Sequence, residues 1–165
     1  MLYFREKEQQ RLFRFFDSAS MKAMAIYGRR RTGKTELILD SIKKRTPGEI
    51  LYFQCPGTDY ETCVSDFATT LRSFYPDEEL LSSLKNFKDL FVYISRLEKH
   101  IPIIVIDEFP FLAKKHPDVV AEFQWIIDHG LRNSKIILLG SNRSFMKHQI
   151  QNNEYPLYYK NVGHS

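Results

Sequence analysis

The sequence predicts an α/β fold in which a parallel sheet is sandwiched between helices. Three observations carry this reading. Short apolar runs of strand length alternate along the chain with longer stretches whose apolar residues recur at helical spacing. Residues 103–106 (Ile-Ile-Val-Ile) are apolar throughout, as a strand buried on both faces must be. Residues 22–42 read as strand, glycine-containing loop and helix in direct succession.

Taken in order, residues 5–18 read as an amphipathic helix, with Leu12, Phe13, Phe15 and Phe16 clustered at its end. Arg11 and Arg14 interleave with them, as on a surface that stacks single-stranded nucleic acid. An apolar cluster of this size is more often buried, so the helix is read as core-facing. Residues 22–27 (Lys-Ala-Met-Ala-Ile-Tyr) form the first strand, and Glu36-Leu37-Ile38-Leu39-Asp40-Ser41-Ile42 begin a helix. Pro47-Gly48 marks a turn before a second strand at 49–54. Residues 60–75 and 78–99 read as helices, the latter with Leu84, Phe87, Leu90, Phe91 and Ile94 on one face. Pro102 introduces the third strand. A helix at 118–129 turns Val119, Val120, Phe123, Ile126 and Ile127 inward, with Gly130 placed for its C-cap. Lys135–Gly140 is the fourth strand, and no repeat, low-complexity segment or linker interrupts the chain.

A chain of 165 residues, 43% apolar, can bury the core of one domain. No stretch approaches the unbroken apolar run of a membrane helix, and the charged N-terminus is unlike a secretory signal, so no membrane partner and a cytoplasmic location are expected. Cys55 and Cys63 make neither a metal set nor a disulfide framework and are read as reduced structural thiols. His100, His116, His129, His148 and His164 are scattered without ligand spacing. The net charge of +4 is a modest excess, to which Arg29, Arg30 and Arg31 contribute heavily. These arginines either add positive charge near bound phosphate, the favoured reading, or simply face solvent. Nucleic-acid contact by them is disfavoured.

Gly28-Arg29-Arg30-Arg31-Thr32-Gly33-Lys34-Thr35 matches G-x-x-x-x-G-K-[ST] at every fixed position. Gly28 and Gly33 allow a backbone curl that a side chain would forbid. The curl aims N–H groups inward at an anion, and the following helix, opening at Glu36, adds its positive end. Lys34 brings a point charge to the β/γ-phosphates, and Thr35 a hydroxyl for Mg²⁺. Such a pattern could occur by chance on a turn. Here it lies between strand and helix, the context it requires, and it predicts nucleoside triphosphate binding.

The third strand runs into Asp107-Glu108. Asp107 suits a Mg²⁺ contact from the far side of the phosphates, and Glu108 can polarise an attacking water as general base. A pair of acids that merely caps the next turn is the rival, weakened by the loop upstream. In phosphate-loop ATPases with such a pair, the next strand inserts between the acidic strand and the loop strand. Ser141 or Asn142, after the fourth strand, then reaches the sensor position beside the γ-phosphate. Asn142 as a helix cap is the alternative.

On these motifs the chain resembles the archaeal-type ATPases, in the STAND branch of the AAA+-like P-loop NTPases. Phe4-Arg5-Glu6-Lys7-Glu8 resembles the family's F-x-G-R-E-x-E segment without its glycine, and Tyr27-Gly28 through Thr35 its arginine-rich loop. Ile106-Asp107-Glu108-Phe109-Pro110-Phe111-Leu112 is similar to D-E-F-[QP]-[YF]-L. Gly140-Ser141-Asn142-Arg143-Ser144-Phe145-Met146 and Tyr155-Pro156-Leu157-Tyr158 resemble G-S-S-x-x-x-M and S-P-L-Y. The family's following G-R-R-T is replaced by Tyr159-Lys160-Asn161-Val162, so no arginine role carries over there. The resemblance implies ATP rather than GTP, with Arg5 near the base, and the sequence contains no N-K-x-D guanine signature.

It further implies a three-layer P-loop NTPase with sheet order 5-1-4-3-2. Residues 1–165 are read as a C-terminally incomplete core, whose fifth strand, lid and downstream domain lie beyond Ser165. The loop-bearing strand would then sit at a bare sheet edge, open to a protein partner or a second copy. DNA is expected only through regions outside this chain. The leading functional expectation is Mg²⁺-dependent ATP hydrolysis by a regulatory motor or switch. A nucleotide-gated interaction module with little turnover is the alternative; a small-molecule kinase is weak, for want of an acceptor pocket.

Overall fold

The computed structural model describes residues 6–27, 39–41, 43–44, 49–140 and 157–161. Along the chain run α1 (Glu6–Asp17), β1 (Ala23–Tyr27), β2 (Ile50–Gln54), α2 (Tyr60–Phe74), a 3₁₀ turn (Glu79–Ser83) and α3 (Phe87–Ser95). Then follow β3 (Ile103–Asp107), α4 (Phe109–Lys115), α5 (Asp118–Trp125), a π turn (Ile126–Gly130), β4 (Lys135–Gly140) and β5 (Leu157–Asn161). Residues 39–41 and 43–44 are helical as well.

The strands form a five-stranded sheet in the order β2-β3-β4-β1-β5, and every pairing is parallel. Strand side chains alternate between faces, and here both faces are apolar. Ala23, Ala25, Leu51, Phe53, Ile104, Ile106, Ile136 and Leu138 share one core with α2, α3, α4 and α5. Met24, Ile26, Ile103, Val105, Ile137 and Leu139 face the other way, onto Leu12 and Phe15 of α1, with Leu39 packed alongside. The three layers of the sequence reading are therefore present.

The fifth strand corrects the expectation of a bare edge. Leu157–Asn161 lies beside β1, in register from Ala23↔Leu157 to Tyr27↔Asn161. A strand flanked on both sides has its backbone N–H and C=O groups paired, which removes the exposed ladder the sequence reading left open. Aromatic Tyr158-Tyr159 suits a strand, but at this length the signal is weak without its neighbour.

The helix expected over 78–99 is interrupted. Leu84 is extended, with φ −80° and ψ 141°, and Asn86 caps a fresh helix by accepting the Asp89 N–H. The break lets Leu81 and Phe87 both be buried, which one straight helix does not require. The 118–129 helix also ends differently. Its last turn widens into the π turn, and Gly130 lies inside that turn, buried, without the positive φ of a C-cap glycine. α4, which the sequence reading did not include, carries Pro110 in its first turn. In a first turn the proline's absent N–H is no loss, since that donor has no helical partner anyway.

Candidate functional site

Three adjacent strands, β1, β4 and β3, end together at one end of the sheet. Ala25, Leu138 and Ile106 lie level across β1, β4 and β3. The register then runs out to Tyr27 opposite Gly140, with Asp107 ending β3 opposite Gln54 of β2. Residues 28–35 follow β1 directly, and Ser141-Asn142 follow β4 directly. Crevices at the carboxyl ends of parallel strands are where α/β sheets bind ligands. Arg5, Gly28 through Glu36, Ser141 and Asn142 themselves lie outside the described residues.

The acidic pair is described in full. Ile103, Val105 and Asp107 alternate onto the face that carries Leu39 of the helix after the loop. Asp107 therefore shares its face with the phosphate-loop helix. It is buried, at 6% exposure, and a buried carboxylate needs partners. The Tyr52 hydroxyl, reaching across from β2, donates to Oδ2. The Glu108 N–H donates to Oδ1 at 2.8 Å. The Asp107 carbonyl accepts the Cys55 N–H at 2.9 Å, which holds the β2 end against the β3 end.

Glu108 is 9% exposed and sits in the left-handed region, with φ 54° and ψ 37°, where β3 turns into α4. A non-glycine residue there costs about 1–2 kcal/mol, and such strain concentrates at functional sites. Cys55 lies close to both acids. Its thiol is pushed far up, first by a hydrogen bond to Cys63, then by burial, with the Cys63, Asp107 and Glu108 charges adding. It is an inert core thiol.

Sequence reasoning found the acidic pair but missed Tyr52. Its signal was a lone hydroxyl in β2, on the face opposite Leu51 and Phe53. Which carboxylate it meets depends on the β2–β3 register. Among the described residues no group of three or more His, Cys, Asp or Glu could hold a metal alone. Mg²⁺ is usually held by one or two protein oxygens together with substrate phosphates. Asp107 is a hard oxygen donor at the right sheet end, and the site fits that ion.

A parallel sheet of this order, with an acidic pair ending the strand two places from β1, defines a P-loop NTPase fold. Residues 2–160 match the model of the ATPase domain found predominantly in Archaea, and the chain belongs to that family. It is 34% identical over 164 residues to a Methanocaldococcus jannaschii protein named "Uncharacterized protein MJECL04", covering 96% of this chain and 34% of that one. The chain thus spans about a third of that relative's length. Among solved structures it is similar to the Aeropyrum pernix ORC1 protein, determined in complex with DNA. That match has TM-score 0.65 and 21% identity, over 96% of this chain and 45% of that one. It is also similar to Cdc6p from Pyrobaculum aerophilum, with TM-score 0.58 and 14% identity, over 96% of this chain and 46% of that one. At these identities the likeness is one of fold. Among the described residues no helix is long and apolar enough to cross a membrane.

Proposed function

We propose that this domain binds Mg-ATP and hydrolyses it by water attack on the γ-phosphate, as a regulatory switch or motor. The observation that supports the reading best is the buried Asp107–Glu108 pair, at the sheet end from which residues 28–35 and 141–142 emerge. Loop amides and Lys34 would stabilise charge on the transferred phosphoryl group, with Arg29, Arg30 and Arg31 adding positive potential. Thr35 and Asp107 would hold Mg²⁺, which when bound neutralises charge on the β- and γ-phosphates. Glu108 takes the proton from the attacking water, and Ser141 or Asn142 orients that water against the phosphate. Arg5 would lie toward the base.

Two variants test this reading through ATP binding and phosphate release. Glu108→Gln is expected to lower release by about 10²–10⁴-fold while retaining ATP. Lys34→Ala is expected to lose ATP binding. Unchanged release in Glu108→Gln, beside lost binding in Lys34→Ala, would favour a nucleotide-gated module over a hydrolase.

A further inference from the structure

We propose that Tyr52 is a positioning residue for the metal ligand Asp107. Its hydroxyl fixes the orientation in which that carboxylate is presented to Mg-ATP. The inference rests on the Mg-ATP reading and extends it to a side chain on a different strand.

The two oxygens of Asp107 are held by different parts of the fold. Oδ1 takes the N–H of the next residue, Glu108, at 2.8 Å, a contact that accompanies the left-handed turn. Oδ2 takes the hydroxyl of Tyr52, which lies 55 residues earlier in the chain. With a donor from the described residues on each oxygen, the carboxyl plane is held against rotation about its terminal torsion, which is otherwise broad. A carboxylate offers about four lone-pair sites, and these two donors take up two of them. Fixing the plane sets the direction in which the carboxylate is presented before the ion arrives.

Tyr52 is suited to this task by its place in the sheet. β2 is the outermost strand beside β3, and alternation puts Tyr52 on the same face as Ile103, Val105 and Asp107. Its Cα pairs with Val105, so its side chain must lean about one residue pair toward the carboxyl end to reach Asp107. A phenol spans that distance and a serine or threonine does not. The ring packs against the same core as Ile50 and Met21. Phenylalanine can therefore keep the packing and remove the hydroxyl. Partners that orient a metal ligand from behind are typically worth about 10–100-fold in metal affinity.

The test measures binding of a fluorescent ATP analogue by the whole chain, in EDTA and across a Mg²⁺ titration, with melting temperature recorded for each variant. Tyr52→Phe is expected to match wild type in EDTA and to need about 10–100-fold more Mg²⁺ to reach the same nucleotide affinity. Tyr52→Leu, which also removes the ring, should share that shift whatever its melting temperature. Asp107→Asn should lose most of the Mg²⁺ enhancement, and adding Tyr52→Phe to it should change nothing further. A wild-type Mg²⁺ titration for Tyr52→Phe, even with a lower melting temperature, would overturn the proposal and leave the tyrosine a packing residue. A full additional shift in the Asp107→Asn background would overturn it too, since the hydroxyl would then act elsewhere. Failure of the wild type to show Mg²⁺-dependent nucleotide binding would defeat the Mg-ATP reading itself, a result visible before any variant is compared.

Discussion

Glu108 holds φ 54° and ψ 37° immediately after a buried strand, and it is the only non-glycine residue with positive φ among the described residues. The conformation accompanies the contact of the Glu108 N–H with Asp107 Oδ1. Glycine adopts this region without penalty, so Glu108→Gly is expected to gain about 1 kcal/mol in urea unfolding while losing turnover. A loss of stability would mean that the side chain anchors the turn rather than straining it. The pair stood out in the sequence because it ends an apolar strand downstream of a G-x-x-x-x-G-K-[ST] loop. The backbone geometry between the two acids was not legible there, since nothing in Asp-Glu-Phe-Pro signals a left-handed residue. Cys55 and Cys63 are buried free thiols, and with Cys55 pushed up by its neighbours and burial, alkylation by iodoacetamide is expected only on unfolding.

At the scale of elements, the first turn of α3 draws its partners from three places. The Phe87 N–H donates to the Tyr60 hydroxyl at 3.4 Å, the Lys88 N–H to Glu122 at 2.9 Å and the Asp89 N–H to Asn86 at 2.7 Å. These donors have no partner within the helix, so the cap decides where the helix begins. Asn86→Ala is therefore expected to cost about 1 kcal/mol by urea titration. The sequence showed helical periodicity through this region and concealed the break, because apolar spacing alone does not distinguish one helix from two joined by an extended Leu84.

The start of α2 responds to pH. Asp59 accepts the Thr62 N–H at 2.7 Å, and its carboxyl is held below the ordinary 3.8 by the Thr62 side chain first and this N–H second. A depressed folded value adds stability above the unfolded value and loses it as pH falls through the folded one. Asp59→Asn should therefore show a smaller loss of stability below about pH 4, with its cap intact at neutral pH.

For the whole molecule, one aromatic cluster ties three helices together beneath the sheet. Phe123 of α5 is fully buried, with ring centroids 5.2 Å from Phe87, 6.0 Å from Phe91 and 5.2 Å from Phe109. Phe109 directly follows Glu108, so the cluster backs the turn that carries the candidate base. Phe123→Ala is expected to destabilise the fold by about 3–5 kcal/mol in urea unfolding. On the opposite side, Lys135 at the start of β4 donates to the Ser18 carbonyl at 2.6 Å and to that of Met21, pinning the end of α1 to the sheet.

By itself the sequence determined the alternation of strands and helices, both apolar faces of the sheet and the motifs that carry the family likeness. Each of these is encoded locally, in a spacing or a short motif. Only the tertiary structure decided that Leu157–Asn161 closes the edge beside β1 and that Tyr52 reaches Asp107. Both depend on which strands lie side by side and in what register. That is a property of the folded sheet, and no window along the chain contains it.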